Sequence, residues 1–140
     1  MRTVLRPESK RRARALQLLY AWETRGRPAL GETVAGLARI ARPTSSVLDG
    51  AEDLAARVIA SSDELDEMIA SAADHWRLER MGLLERQVLR LACIELRDPK
   101  LSAAIVIDEA LWLTHRFIGP DAAPFVNGVL DRVARRLGRL

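Results

Sequence analysis

Cysteine is all but missing from this chain of 140 residues, where Cys93 stands alone. A single thiol excludes an internal disulfide framework and any cysteine-rich zinc site. Histidine is nearly as scarce, and His75 and His115 lie too far apart to show a metal-ligand spacing. No apolar run approaches the ~20 residues that span a bilayer, which excludes a membrane-spanning helix. The basic stretch from Met1 to Arg14 has no apolar core segment, so it is not a secretory signal. A reducing, cytoplasmic setting is the expectation. Phosphate-binding loops, dinucleotide glycine patterns and serine nucleophile elbows are absent too. Asp108 and Glu109 are adjacent, so on a helix they point about 100° apart. An acid–base pair would have to be assembled from distant segments. We therefore expect no catalysis, no cofactor and no metal. Cys93 lies within an apolar helical face and reads as a small core residue.

What the chain does have is a globular composition, 49% hydrophobic and 29% charged. Its length suits one domain over residues 1–140 with a real core. Arginine dominates the cations, since Lys10 and Lys100 are the only lysines. Arg2, Arg6, Lys10, Arg11, Arg12 and Arg14 against Glu8 give residues 1–14 a net charge of +5. Arg132, Arg135, Arg136 and Arg139 against Asp131 give residues 131–140 a net charge of +3, leaving −5 on the body between. This polarity points to an anionic partner at the ends and a basic partner elsewhere, or simply to solubilising termini.

Apolar spacing predicts helices throughout. The first opens near Ser9 as N-cap and runs to about Thr24, with Leu16, Leu19 and Tyr20 on one face and Leu18 and Trp22 extending it. Gly26 and Pro28 end it. A short helix over Leu30–Ile40 is weakened by Gly31 and Gly36. After an Arg42–Ser46 loop, a third carries Val47, Leu48, Ala51, Leu54, Ala55, Val58 and Ile59. Ser61-Ser62-Asp63-Glu64 reads as a capping box that starts or kinks a helix through Leu65, Met68, Ile69 and Ala72. Trp76–Gly82 is a connection. Helices over Leu83–Arg97 and Ala103–Phe117 follow, the first placing Val88, Leu89, Leu91, Ala92, Ile94 and Leu96 inward and the second running through Ile105, Val106, Ala110, Leu111 and Leu113. Asp121 is expected to cap the last helix, with Pro124 in its first turn. Ala104–Ile107 would suit a buried strand, yet no partner strand exists. The fold class is all-α, with about six or seven helices.

Three segments carry a more specific signal. They are Arg11-Arg12-Ala13-Arg14-Ala15-Leu16-Gln17-Leu18-Leu19-Tyr20, then Glu85-Arg86-Gln87-Val88-Leu89-Arg90-Leu91-Ala92-Cys93-Ile94-Glu95-Leu96, and then Val106–Ala110 joined to Phe125-Val126-Asn127-Gly128-Val129-Leu130-Asp131. In this order and spacing they resemble the NusB family of transcription antitermination factors. The resemblance covers essentially the whole chain, although Ala29–Asp74 matches by helical pattern alone. It implies two packed helical bundles forming one RNA-binding domain. It also implies binding of single-stranded boxA RNA in ribosomal-operon transcripts, together with the ribosomal protein NusE, in a complex that acts on RNA polymerase.

The residues have physical readings beside that resemblance. Lys10 and Arg14 stack on one helical face with Arg11 flanking, a cluster suited to phosphates. Arg11, Arg12 and Arg14 match the family's arginine-rich segment. Cations near a helix N-terminus oppose its dipole, so the cluster is either a partner site or a solvated helix start. Phe125 matches a phenylalanine beside the RNA and fits either base stacking or the core. Tyr20 fits stacking or, by its spacing, packing. Asp121 falls near the RNA by family position. Glu79 and Glu85 fall in the family's contact region for NusE, or are solvated helix ends. Asn127-Gly128 reads as structural, the glycine permitting close helix approach and the amide bridging to a neighbouring backbone. The C-terminal arginines either extend the RNA surface or favour the dipole of their own helix. Two other readings stay open: an RNA-binding module of the kind attached to ribosomal-RNA methyltransferases, and a helical protein-interaction module without RNA. The 140 residues leave no room for a cofactor-binding domain, which weighs against an enzyme.

Overall fold

Helix-forming periodicity becomes helix almost everywhere. The structure, a computed structural model, describes residues 6–41, 45–73 and 80–140. Among these there are seven α-helices and no strand: α1 (Pro7–Thr24), α2 (Leu30–Ala41), α3 (Ser45–Ala60), α4 (Ser62–Ala72), α5 (Leu83–Leu96), α6 (Ala103–Phe117) and α7 (Ala123–Arg136). The chain divides into two compact units, Met1–Ile59 and Ala60–Leu140. No helix among the described residues is long and apolar enough to cross a membrane.

In the first unit α1 is buried on several sides. Leu16, Leu18 and Leu19 are completely enclosed, and at about 100° per residue they spread widely around the axis. The helix opens earlier than expected. Pro7 occupies its first turn after an extended Arg6, because a proline there gives up an N–H that has no partner anyway. Ser9 is therefore buried inside the helix and is not its cap. Past Thr24 the chain turns through two consecutive left-handed residues, Gly26 (φ 81°) and Arg27 (φ 61°). Glycine adopts that conformation freely, whereas arginine needs support. Arg27 donates to both carboxylate oxygens of Glu23 at 2.7 and 3.0 Å, and its guanidinium lies 4.7 Å from the Trp22 ring centre. α2 then packs on α1.

In the second unit α5 is the central element. Every residue from Gln87 to Leu96 is buried, and the helix packs on α4, α6 and α7. Arg90 lies in this core and donates to both carboxylate oxygens of Asp66 on α4, at 2.6 and 2.8 Å. The break between α3 and α4 falls where the serines predicted it. However, the Ser61 side chain makes no capping hydrogen bond, so the expected capping box is not formed. Ser102 does cap α6, accepting from the Ile105 N–H at 3.4 Å. Ile105 itself is exposed. Asp121 does not cap α7. It stands in a single 3-10 turn, Pro120–Ala122, and Ala122 takes the cap position with no side-chain bond.

The C-terminal arginines do more than favour their own helix, where Arg135 and Arg136 stand in the last turn of α7. Helix ends leave carbonyls unpaired and carry partial negative charge. Arg132 donates to the Ala72 carbonyl at the end of α4 (3.0 Å), and Arg136 to Ser71 Oγ (2.7 Å). Arg139 donates to the carbonyl of Leu96, the last residue of α5, and to those of Asp98 and Leu101 just past it. Arg132 and Arg139 thus complement the ends of other helices as well. Arg135 pairs with Asp131 one turn back, at 2.9 Å.

Candidate nucleic-acid interface

The cationic start of α1 divides its residues sharply. At about 100° per residue, Lys10, Arg14 and Gln17 fall on one stripe, with Arg11 on one flank and Tyr20 on the other. Lys10 is exposed. Arg14 is half-buried and donates to Gln17 Oε1 at 2.7 Å. Arg11 is half-buried as well, and its Nε is enclosed without a hydrogen-bond partner among the described residues. Arg12 points the other way, is 8% exposed, and interacts within the protein. Tyr20 is 42% exposed. Spacing alone had favoured packing for this tyrosine, but the flank it occupies leaves its ring open to a partner.

The second unit holds the other candidates. Phe125, at the start of α7, is half-buried and lines a pocket of about 270 Å³ with Arg80, Met81 and Glu85. Glu85 lies in the first turn of α5, where the helix dipole favours an anion. Asp121 is exposed in the 3-10 turn one helical turn before Phe125. The structure thus unites Glu85 and Phe125, residues forty positions apart that sequence reading had given to different partners. Arg80 and Met81 were missed. They belong to no periodic segment, so only the fold places them here. Glu79 lies outside the described residues, as does His75.

Asn127 and Gly128 behave differently from expectation. Both are exposed on α7, and a Cβ added at Gly128 would meet nothing within 4 Å among the described residues. Close helix approach is therefore not what the glycine provides. The packing in this segment comes from Val126, Val129 and Leu130, all buried. Among the described residues no group of three or more His, Cys, Asp or Glu side chains is placed to hold a metal ion.

These features define an all-helical protein of two compact units, with a cationic helix start in one and an aromatic-lined pocket in the other. A model of the NusB family matches residues 9–135. The chain belongs to the NusB family. It is 40% identical over 137 residues to the transcription antitermination protein NusB of Sorangium cellulosum, covering 92% of each chain. It is 47% identical over 77 residues to that of Koribacter versatilis, a match spanning 54% of this chain and 53% of the relative. A crystal structure of the antitermination factors NusB and NusE in complex with dsRNA contains a similar chain. Its TM-score is 0.83 at 25% identity, covering 95% of this chain and 99% of that one.

Proposed function

We propose that this chain is a transcription antitermination factor without catalytic activity. It binds boxA-type single-stranded RNA of ribosomal-operon transcripts together with the ribosomal protein NusE, and it acts on RNA polymerase in the cytoplasm. The observation that carries this reading is the nearly full-length match to relatives that are transcription antitermination proteins. A NusB of the same fold, solved with NusE and dsRNA, supports both partners.

The geometry fits. Lys10 and the head of Arg11 meet phosphates, with Arg14 beside them, and each neutralised phosphate releases counterions. Tyr20 and Phe125 offer aromatic faces for bases. Asp121, beside Phe125, restrains affinity for the strand and so favours bases over mere charge. Arg12, being buried, holds the helix start rather than the RNA. Glu85 faces the basic ribosomal protein, and the family resemblance assigns Glu79 to the same partner.

The test is a salt titration of binding to a boxA-type strand with NusE present, and to a duplex of the same sequence. Arg11→Ala with Arg14→Ala should reduce the slope of log K against log salt by ~0.7 per lost phosphate contact. Phe125→Ala should weaken binding by ~1–3 kcal/mol with little change in slope, because stacking releases few counterions. Melting curves separate binding loss from unfolding. Normal binding by both folded variants would overturn the reading.

A further inference from the structure

Arg11 does not leave α1 for solvent; its stem lies on another helix. Gly50 sits in the interior of α3, where glycine is a poor helix former. Its lack of a side chain has a use there. A Cβ added at position 50 would stand 3.0 Å from Arg11 Cγ and closer still to Cδ and Nε. Real Cβ atoms essentially never come as close as the Cδ and Nε positions require, so those atoms must move, and Cγ must give by a few tenths of an ångström. Any side chain at position 50 must therefore displace the outer part of the Arg11 side chain from its seat on α3. The contact also encloses Arg11 Nε without a partner among the described residues, which is unfavourable in itself. Both residues lie in the first compact unit.

We propose that Gly50 is a positioning residue for RNA binding: its bare backbone on α3 seats the Arg11 stem and so fixes where the guanidinium meets the RNA phosphate. This rests on the reading of Arg11 as an RNA contact. A stem already ordered against a helix loses less rotamer freedom when its head is engaged. The neighbouring cations are held by other means, Arg14 by Gln17 and Arg12 by burial.

A double-mutant cycle in the full chain tests it, using Gly50→Ala, Arg11→Ala and the pair. Gly50→Ala should raise the melting temperature when Arg11 is already alanine, since alanine is the better helix former and nothing is displaced. With Arg11 present, that gain should vanish or reverse. In titrations with NusE and a boxA-type oligonucleotide, Gly50→Ala should match Arg11→Ala in lost affinity and in the loss of about 0.7 from the salt slope. The pair should lose no more than either alone. Wild-type affinity and slope in Gly50→Ala, with Arg11→Ala weakened, overturns the positioning role and leaves the RNA contact standing. Wild-type binding by Arg11→Ala overturns both. If Gly50→Ala does not fold, the pair decides: a folded pair identifies the Arg11 stem as what the new Cβ strikes, and an unfolded pair overturns the proposal.

Discussion

Burial decides the chemistry of Cys93. The thiol is fully enclosed in α5, and loss of solvation pushes its pKa up from 9.0 to about 12, against a smaller lowering by Arg97. In the unfolded chain the same thiol ionises near its ordinary value of 9.0. The neutral buried thiol therefore stabilises the fold fully below that value, and the contribution fades as pH rises from there toward 12. We expect a neutral thiol reagent to label Cys93 no faster than the protein unfolds globally, at pH 8 and at pH 9. Labelling of the native protein within minutes would show an open path to the sulfur. The apolar run around Cys93 made this site legible from sequence, because a long enclosed stretch has one reading. Tyr20, Arg11 and Arg12 were not legible in the same way. Spacing ranks residues around one axis, but it does not say which flank another helix covers. That is why adjacent arginines end with opposite fates, one laid on Gly50 and the other enclosed.

At the scale of the element, helix positions followed from apolar period and breakers, and the bounds of α6 were anticipated to the residue. Helix ends were less legible, because the groups that satisfy them come from elsewhere in the chain. Arg132, Arg136 and Arg139 look like an isolated basic tail until α7 is set beside the ends of α4 and α5. The same limit hid the pairing of Arg90 with Asp66. Its side chains are 2% and 22% exposed, and it ties α5 to α4 inside the second unit. Removing one partner of a buried pair strands the other charge at a cost of roughly 3–5 kcal/mol. Asp66→Ala should fall near the lower end, on the order of 3 kcal/mol, because Asp66 keeps some solvent and Arg90 has a further interaction. The check is urea unfolding, with the midpoint falling and the m-value unchanged. A loss below about 1 kcal/mol would place this pair among solvent-screened surface bridges instead.

Across the whole molecule, charge is sorted by sign, with basic ends on an acidic body. That sorting was legible in the sequence and suggested two partners of opposite charge, but not where their surfaces stand. Glu85 and Phe125 line one pocket in the second unit, so under the proposed function a carboxylate for the basic protein adjoins an aromatic face for a base. Reversing Glu85 should therefore act with opposite signs on the two partners. Glu85→Lys replaces attraction to NusE by repulsion, so that association should slow and weaken, most at low salt, since surface charges act chiefly on encounter. RNA binding without NusE should hold or tighten, and its salt slope should steepen by up to about 0.7, because the new cation can neutralise one more phosphate. Circular dichroism should stay helical, although the dipole now opposes the charge in the first turn of α5 by ~0.3–1 kcal/mol. NusE binding unchanged at low and physiological salt would remove Glu85 from the protein-binding face. Weaker RNA binding by the folded variant would instead show that the carboxylate itself contacts the strand as an acceptor.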